Sequence, residues 1–233
     1  HGIEIAPRAD LLTFKEMYRT IRVLTELGVT KVRLTGGEPF VRKDFIKFLK
    51  MLSFNDLLET INITTNGAMI LKHLNALESM PKIKNINLSI DSLQADKFFK
   101  ITRRDVFDKV YATLEALERS RLNLKLNVVI QPEVNTDEIL DFVRLTKDKN
   151  LEVRFIEEMP FNGKGQRAFT ENWSYRRILE EIKSGYQVEP MISEKSSTSR
   201  NFSIDGHKGT VGIIPAFTRT ICSDCNRIRI TPV

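Results

Sequence analysis

From Leu11 onward the apolar residues recur with two alternating periods. Segments with helical spacing follow short stretches of period two, which predicts repeated strand–helix units and hence a parallel sheet. The first helix is announced by a capping box, Thr13 with Glu16, then Met17, Ile21, Leu24 and Leu27 at helical spacing, and Gly28 as the stop. Strands are predicted over 31–35, 60–64, 85–90, 124–130 and 151–157, with a helix in every gap. The helices carry Phe45, Phe48, Leu49 and Leu52, then Ile70, Leu71, Leu74 and Leu77, then Phe107, Val110, Leu114 and Leu117, then Ile139, Phe142, Val143 and Leu145. Each set makes one apolar face to lay on a sheet. Beyond Glu157 the pattern changes to a loop over 161–167, a helix near 173–183, and a Ser-rich stretch over 193–199 that reads as a flexible loop. Segments 201–204 and 210–214, joined through Asp205-Gly206-His207, read as a hairpin beyond the barrel. The expected architecture is α/β: a partial (β/α) barrel of parallel strands over 1–160, and a C-terminal extension over 161–233 containing that β-hairpin.

The strands are unusual for a helix-covered parallel sheet, whose strands normally read as continuous apolar runs. Here Arg33 and Thr35, Asn62 and Thr64, Asn87, Ser89 and Asp91, Lys125 and Asn127, and Glu152 and Arg154 alternate with Val, Leu and Ile. A period of two puts each polar set on one face. If the helices cover the apolar face, the polar residues converge on the other, as in a barrel lumen that holds a ligand. Arg33, Lys125 and Arg154 would share that cavity with Glu152 as the opposing carboxylate, and a phosphate-bearing ligand would balance the excess. The plainer alternative is that some of these side chains reach solvent or pair with loop carboxylates. The turns after the strands add Gly36-Gly37-Glu38-Pro39, Thr65-Asn66-Gly67, Ser89 with Asp91, and Glu157-Glu158-Met159, at the barrel end where active sites lie.

Composition adds limits. The 233 residues are 41% hydrophobic and 28% charged, enough for one sizeable core. The net charge of +6 favours anionic partners. The basic pairs Arg42-Lys43, Arg103-Arg104 and Arg176-Arg177 are scattered, with no basic run interleaved with aromatics, so dedicated nucleic-acid binding is not expected. No stretch of about 18 apolar residues predicts a membrane span, and the first residues lack the build of a signal peptide. Membrane spanning is not expected, and the expected location is cytoplasmic. The two cysteines, Cys222 and Cys225, cannot make a disulfide framework. Their C-x-x-C spacing suits half a zinc site or a redox pair, and on the residues alone zinc is favoured.

Taken in chain order, Gly36-Gly37-Glu38-Pro39, Thr64-Thr65-Asn66-Gly67, Asn87-Leu88-Ser89-Ile90-Asp91, Asn127-Val128-Val129, Arg154-Phe155-Ile156-Glu157 and the segment from Cys222 through Cys225-Asn226-Arg227-Ile228-Arg229 resemble the radical S-adenosylmethionine (SAM) enzymes. More narrowly they resemble the GTP 3′,8-cyclases of molybdenum cofactor biosynthesis, the MoaA family. The resemblance implies a partial barrel with two [4Fe-4S] clusters at opposite ends of its cavity. The first would cleave S-adenosylmethionine, whose radical takes the ribose 3′ hydrogen of GTP before the sugar closes onto guanine C8. Family roles carried onto matching positions place S-adenosylmethionine at Gly36, Gly37, Glu38, Ser89 and Met159. They place GTP at Arg33, Thr64, Lys125, Arg154, Arg227 and Arg229, and the second cluster on Cys222 and Cys225. Further implied are an electron donor such as flavodoxin or ferredoxin, delivery of the product to the cyclic pyranopterin monophosphate synthase, a homodimer, and an organellar site if the source is eukaryotic.

Two parts of the family pattern have no counterpart. The C-x-x-x-C-x-x-C loop of the first cluster does not occur in the sequence, and no third cysteine follows Arg229. The expectation is therefore a piece of a longer parent protein, with the activity belonging to the parent and no turnover from these residues alone. Two other readings stay open: a different radical enzyme with auxiliary clusters, and a cluster-free nucleotide-binding barrel module. Iron content separates the last from the others.

Overall fold

The structure is a computed structural model that describes residues 11–159, 173–192, 197–216 and 226–231. Helix α1 (Phe14–Glu26) begins at the predicted capping box: the Thr13 hydroxyl accepts the Glu16 N–H, and the Thr13 N–H donates back to the Glu16 carboxylate at 2.7 Å. Strands β1 (Lys31–Leu34), β2 (Thr60–Thr65), β3 (Ile83–Ser89), β4 (Asn123–Ile130) and β5 (Leu151–Glu157) fall where the alternation put them and pair in parallel in that order. Between them lie α2 (Phe45–Ser53), α3 (Leu74–Glu78), α4 (Ala95–Thr102), α5 (Phe107–Glu118) and α6 (Ile139–Arg144).

The helices differ from expectation in two places. The third is split into a 3-10 turn, Leu71–His73, and a five-residue α3. Helix α4 was not anticipated. It buries Phe98 while Phe99 stays exposed, so its apolar stripe is too thin to read. It ends on Arg103 in the left-handed conformation, whose N–H returns to the Phe99 carbonyl.

The C-terminal part departs most. After α7 (Tyr175–Gly185) come β6 (Val188–Pro190), β7 (Arg200–Ile204) and β8 (Thr210–Ile214). The expected hairpin β7–β8 is present, and it extends the sheet: β8 pairs in parallel with β5, giving the order β1-β2-β3-β4-β5-β8-β7-β6. The reason is patterning. Val211 and Ile213 are fully buried beside Val153 and Phe155, so β8 continues both the apolar face and the polar face of β5. Strand β6 is short and carries Pro190 at the sheet edge, where a missing N–H is tolerated.

One contiguous core joins the inner strand positions Ile61, Ile63, Ile86, Leu88, Leu126, Val128, Val153 and Phe155 to helix residues such as Phe48, Leu52, Leu114, Phe142 and Ile178. Gly67, after β2, sets the tolerance at the top of this core. Its φ is +80°, and an added Cβ would stand 2.6 Å from Leu88 Cδ1. Left-handed strain and overpacking together predict a loss of about 2 to 4 kcal/mol for Gly67→Ala. An unfolding free energy from urea titration within about 0.5 kcal/mol of wild type would refute that.

Candidate active site

The polar strand positions form three rows across the sheet. Arg33, Asn62, Asn85 and Asn123 are register partners in the first; Thr64, Asn87, Lys125, Glu152 and Thr210 in the second; Ser89, Asn127, Arg154, Gly212 and Asn201 in the third. The rows are bound internally. The Asn85 amide donates to Asn62 Oδ1 at 2.6 Å, and the Asn87 amide donates to Thr64 Oγ1 at 3.3 Å.

Glu152 holds two of the expected cations. Lys125 Nζ lies 2.7 Å from one carboxylate oxygen and Arg154 Nε 2.5 Å from the other. Burial, the largest influence, pushes the Glu152 carboxyl up, but Arg154 and then Lys125 outweigh it and hold the group below its usual range. Arg33 faces the same space from β1. Desolvation lowers its guanidinium first, and the charges of Arg154 and Arg227 lower it further. Arg33 itself is exposed on the edge strand β1. Lys125 and Arg154 thus share the Glu152 carboxylate, and Arg33 lies near enough to Arg154 and Arg227 to feel both charges. Arg229 is exposed two residues beyond Arg227. Cys222 and Cys225 lie outside the described residues, and among those described no group of three His, Cys, Asp or Glu could hold a metal ion.

The strand-end turns are equally specific. Gly36 and Gly37 open onto free space, with nothing within 4 Å of an added Cβ. Glu38 caps the 3-10 turn Pro39–Val41 through the Phe40 N–H, and its carboxylate accepts from Thr65 Oγ1 at 2.9 Å and from the Asn66 N–H at 2.7 Å. Ser89 is half-buried at the end of β3 beside Asn127, and Met159 is 43% exposed after β5. Asp91 turns to a structural task. Its carboxylate accepts the Val129 N–H at 2.8 Å, and burial raises its pKa against that bond. Glu157 is buried and accepts the N–H of Tyr175 at the start of α7. A cavity of about 410 Å³ between Gln94 and Asp148 lies elsewhere, and its one buried carboxylate, Glu138, is already bound by the Ser92 hydroxyl and the Leu93 N–H.

Residues 3–146 match the Radical SAM superfamily, more than half of the chain. The chain belongs to that superfamily. Its residues 151–233 match the family Molybdenum Cofactor Synthesis C. The chain is 40% identical over 233 residues to molybdenum cofactor biosynthesis protein moc-5 of Caenorhabditis elegans, covering 99% of this chain and 38% of that protein. It is 39% identical over 231 residues to a GTP 3′,8-cyclase of Alkaliphilus oremlandii, covering 99% of this chain and 71% of that protein. The chain therefore spans about two fifths of the longer relative. Streptococcus suis SuiB shares the fold, with a TM-score of 0.56 at 19% identity over 74% of this chain and 40% of its own.

Membership in the radical SAM superfamily implies a [4Fe-4S] cluster and S-adenosylmethionine. The residues present suit S-adenosylmethionine: an open Gly36-Gly37 turn over a fixed carboxylate is a cradle for an ammonium and its carboxylate neighbour. No helix among the described residues is long and apolar enough to cross a membrane. The alternation along the strands marks Asn87 and Asn127 as residues of the polar face, and it does not mark the buried Ser199. Ser199 ends the stretch read as a flexible loop but is 4% exposed. The signal that could have placed it was the alternation resuming at Asn201.

Proposed function

We propose that this chain forms the barrel of a GTP 3′,8-cyclase, which converts GTP to (8S)-3′,8-cyclo-7,8-dihydroguanosine 5′-triphosphate at the start of molybdenum cofactor biosynthesis. The observation that carries this reading is the pairing of Lys125 and Arg154 with Glu152 on the polar sheet face, with Arg33 in the adjoining row under the charges of Arg154 and Arg227. Those cations would hold the triphosphate, with Arg229 beside them and Thr64 on the neighbouring row. S-adenosylmethionine with its cluster supplies the one-electron chemistry that opens a sugar C–H bond. Gly36, Gly37 and Glu38 would hold its amino-acid end, with Ser89 and Met159 along its length. The polar face would then fix the sugar relative to the C-terminal strand ends. Cys222 and Cys225 would give two thiolates to a second cluster, consistent with the match of 151–233 to a molybdenum cofactor family.

The test uses the full-length protein, reconstituted with iron and sulfide without oxygen. GTP should be turned into an isomer of unchanged mass while S-adenosylmethionine is cleaved to 5′-deoxyadenosine. Arg227→Ala should weaken GTP binding roughly 10-fold through loss of a charge-assisted contact, with S-adenosylmethionine binding unchanged. Equal loss of both ligands, or cleavage of S-adenosylmethionine with GTP left intact, would count against the assignment.

A further inference from the structure

Among the described residues, four buried side-chain oxygens have no hydrogen-bond partner: Oδ1 of Asn87, Asn127 and Asn201, and Oγ of Ser199. Native folds rarely leave such atoms unpaired, because each keeps its desolvation cost with nothing in return. These four are not scattered. Asn127, Arg154, Gly212 and Asn201 are successive register partners across β4, β5, β8 and β7, and Asn87 pairs with Lys125 in the adjoining row. At Gly212 the row has no side chain. A Cβ there would stand 2.3 Å from Ser199 Oγ, 2.9 Å from Asn201 Oδ1 and 3.4 Å from Arg154 Cγ. The two oxygens of β7 and its approach therefore fill the space over Gly212, directly beside the stem of Arg154.

Their chemistry differs from that of the cations. An amide oxygen only accepts, and a hydroxyl can accept as well. A phosphate oxygen set against Asn201 Oδ1 would meet another acceptor, so it belongs with Arg154 and Arg33. A group bearing N–H or O–H belongs with the oxygens. We propose that Ser199 and Asn201, lodged over Gly212, form a neutral subsite for the donor-bearing nucleoside part of the nucleotide whose phosphates the cations hold. The subsite rests on the reading of this face as a GTP site and deepens it by separating phosphate affinity from nucleoside selection. The donor is either the amino edge of the base or a sugar hydroxyl, which the same oxygens recognise alike.

The experiment measures equilibrium binding to the full-length protein without oxygen. The probes are GTP, inosine 5′-triphosphate (no exocyclic amino group), 2′-deoxyGTP (no 2′-hydroxyl) and inorganic tripolyphosphate. Ser199→Ala and Asn201→Ala should each weaken GTP roughly 3- to 10-fold and leave tripolyphosphate unchanged. They should also erase the wild-type preference for GTP over whichever analogue lacks the recognised donor. Gly212→Ala, which fills the space itself, should act in the same direction. Equal weakening of GTP and tripolyphosphate would make these residues merely structural and overturn the proposal. A preference for GTP that survives all the substitutions overturns the subsite alone. A wild-type protein that binds tripolyphosphate as tightly as GTP overturns the subsite and the cyclase reading together.

Discussion

Glu152→Gln should destabilise the ligand-free protein by about 2 to 3 kcal/mol and at the same time tighten its grip on tripolyphosphate. Removing one member of a fully buried ion pair costs about 3 to 5 kcal/mol, because the partner is left desolvated and uncompensated. Here Arg154 is 13% exposed but Lys125 keeps 25%, so water recovers part of the loss. Arg154 also repels Arg33, which adds to the uncompensated charge. A polyanion relieves that repulsion, so the melting temperature of the variant should rise more steeply with tripolyphosphate than that of wild type. The acid limb gives an independent check. Glu152 is held below its ordinary value, so its contribution to stability is complete above the unfolded carboxyl value of about 4.3 and is lost as pH falls through the lower folded value. The Gln variant should lack that part of the acid loss. If Glu152→Gln melts like wild type and binds tripolyphosphate no better, the carboxylate does not organise the cations.

The distinction between what was legible and what was not follows from range. The capping box at Thr13 and the alternation of Arg33, Asn62, Asn87 and Arg154 are local, set by neighbours within a few residues, and the structure reproduces both. The sharing of Glu152 between Lys125 and Arg154 depends on the β4–β5 register, which pairs Lys125 with Glu152 across a whole helix crossover. No local pattern encodes that offset. The hairpin was legible as two strands, but its attachment to β5 was not, because sheet order is decided by which apolar edge is left to cover. Serine content misled at Ser199. Composition registers solvation on average, whereas this hydroxyl is buried by the gap that Gly212 leaves.

Glu38→Ala should lower S-adenosylmethionine affinity by more than about 100-fold, and the loss should come as much from the loops as from the missing charge. The Glu38 carboxylate accepts three donors from two turns: the Phe40 N–H at 3.1 Å, Thr65 Oγ1, and the Asn66 N–H at 2.7 Å. Thr65 Oγ1 in turn accepts the Gly67 N–H at 3.0 Å, so the glycine turn after β1 is tied through Glu38 to the turn after β2. Charge-assisted bonds of this kind are each worth about 1.5 to 3 kcal/mol, and removing the acceptor leaves the buried Thr65 hydroxyl and the Asn66 N–H without it. Gln is not a mild replacement. Whichever way its amide turns, its NH₂ faces either the Phe40 or the Asn66 N–H, donor against donor. Thr65→Val separates the two roles, since it cuts the tie and keeps the carboxylate. A roughly 10-fold loss of S-adenosylmethionine binding in Thr65→Val would show that the tie sets the geometry of the cradle. Wild-type binding in that variant, with Glu38→Ala still defective, would leave the carboxylate acting on the ligand ammonium alone.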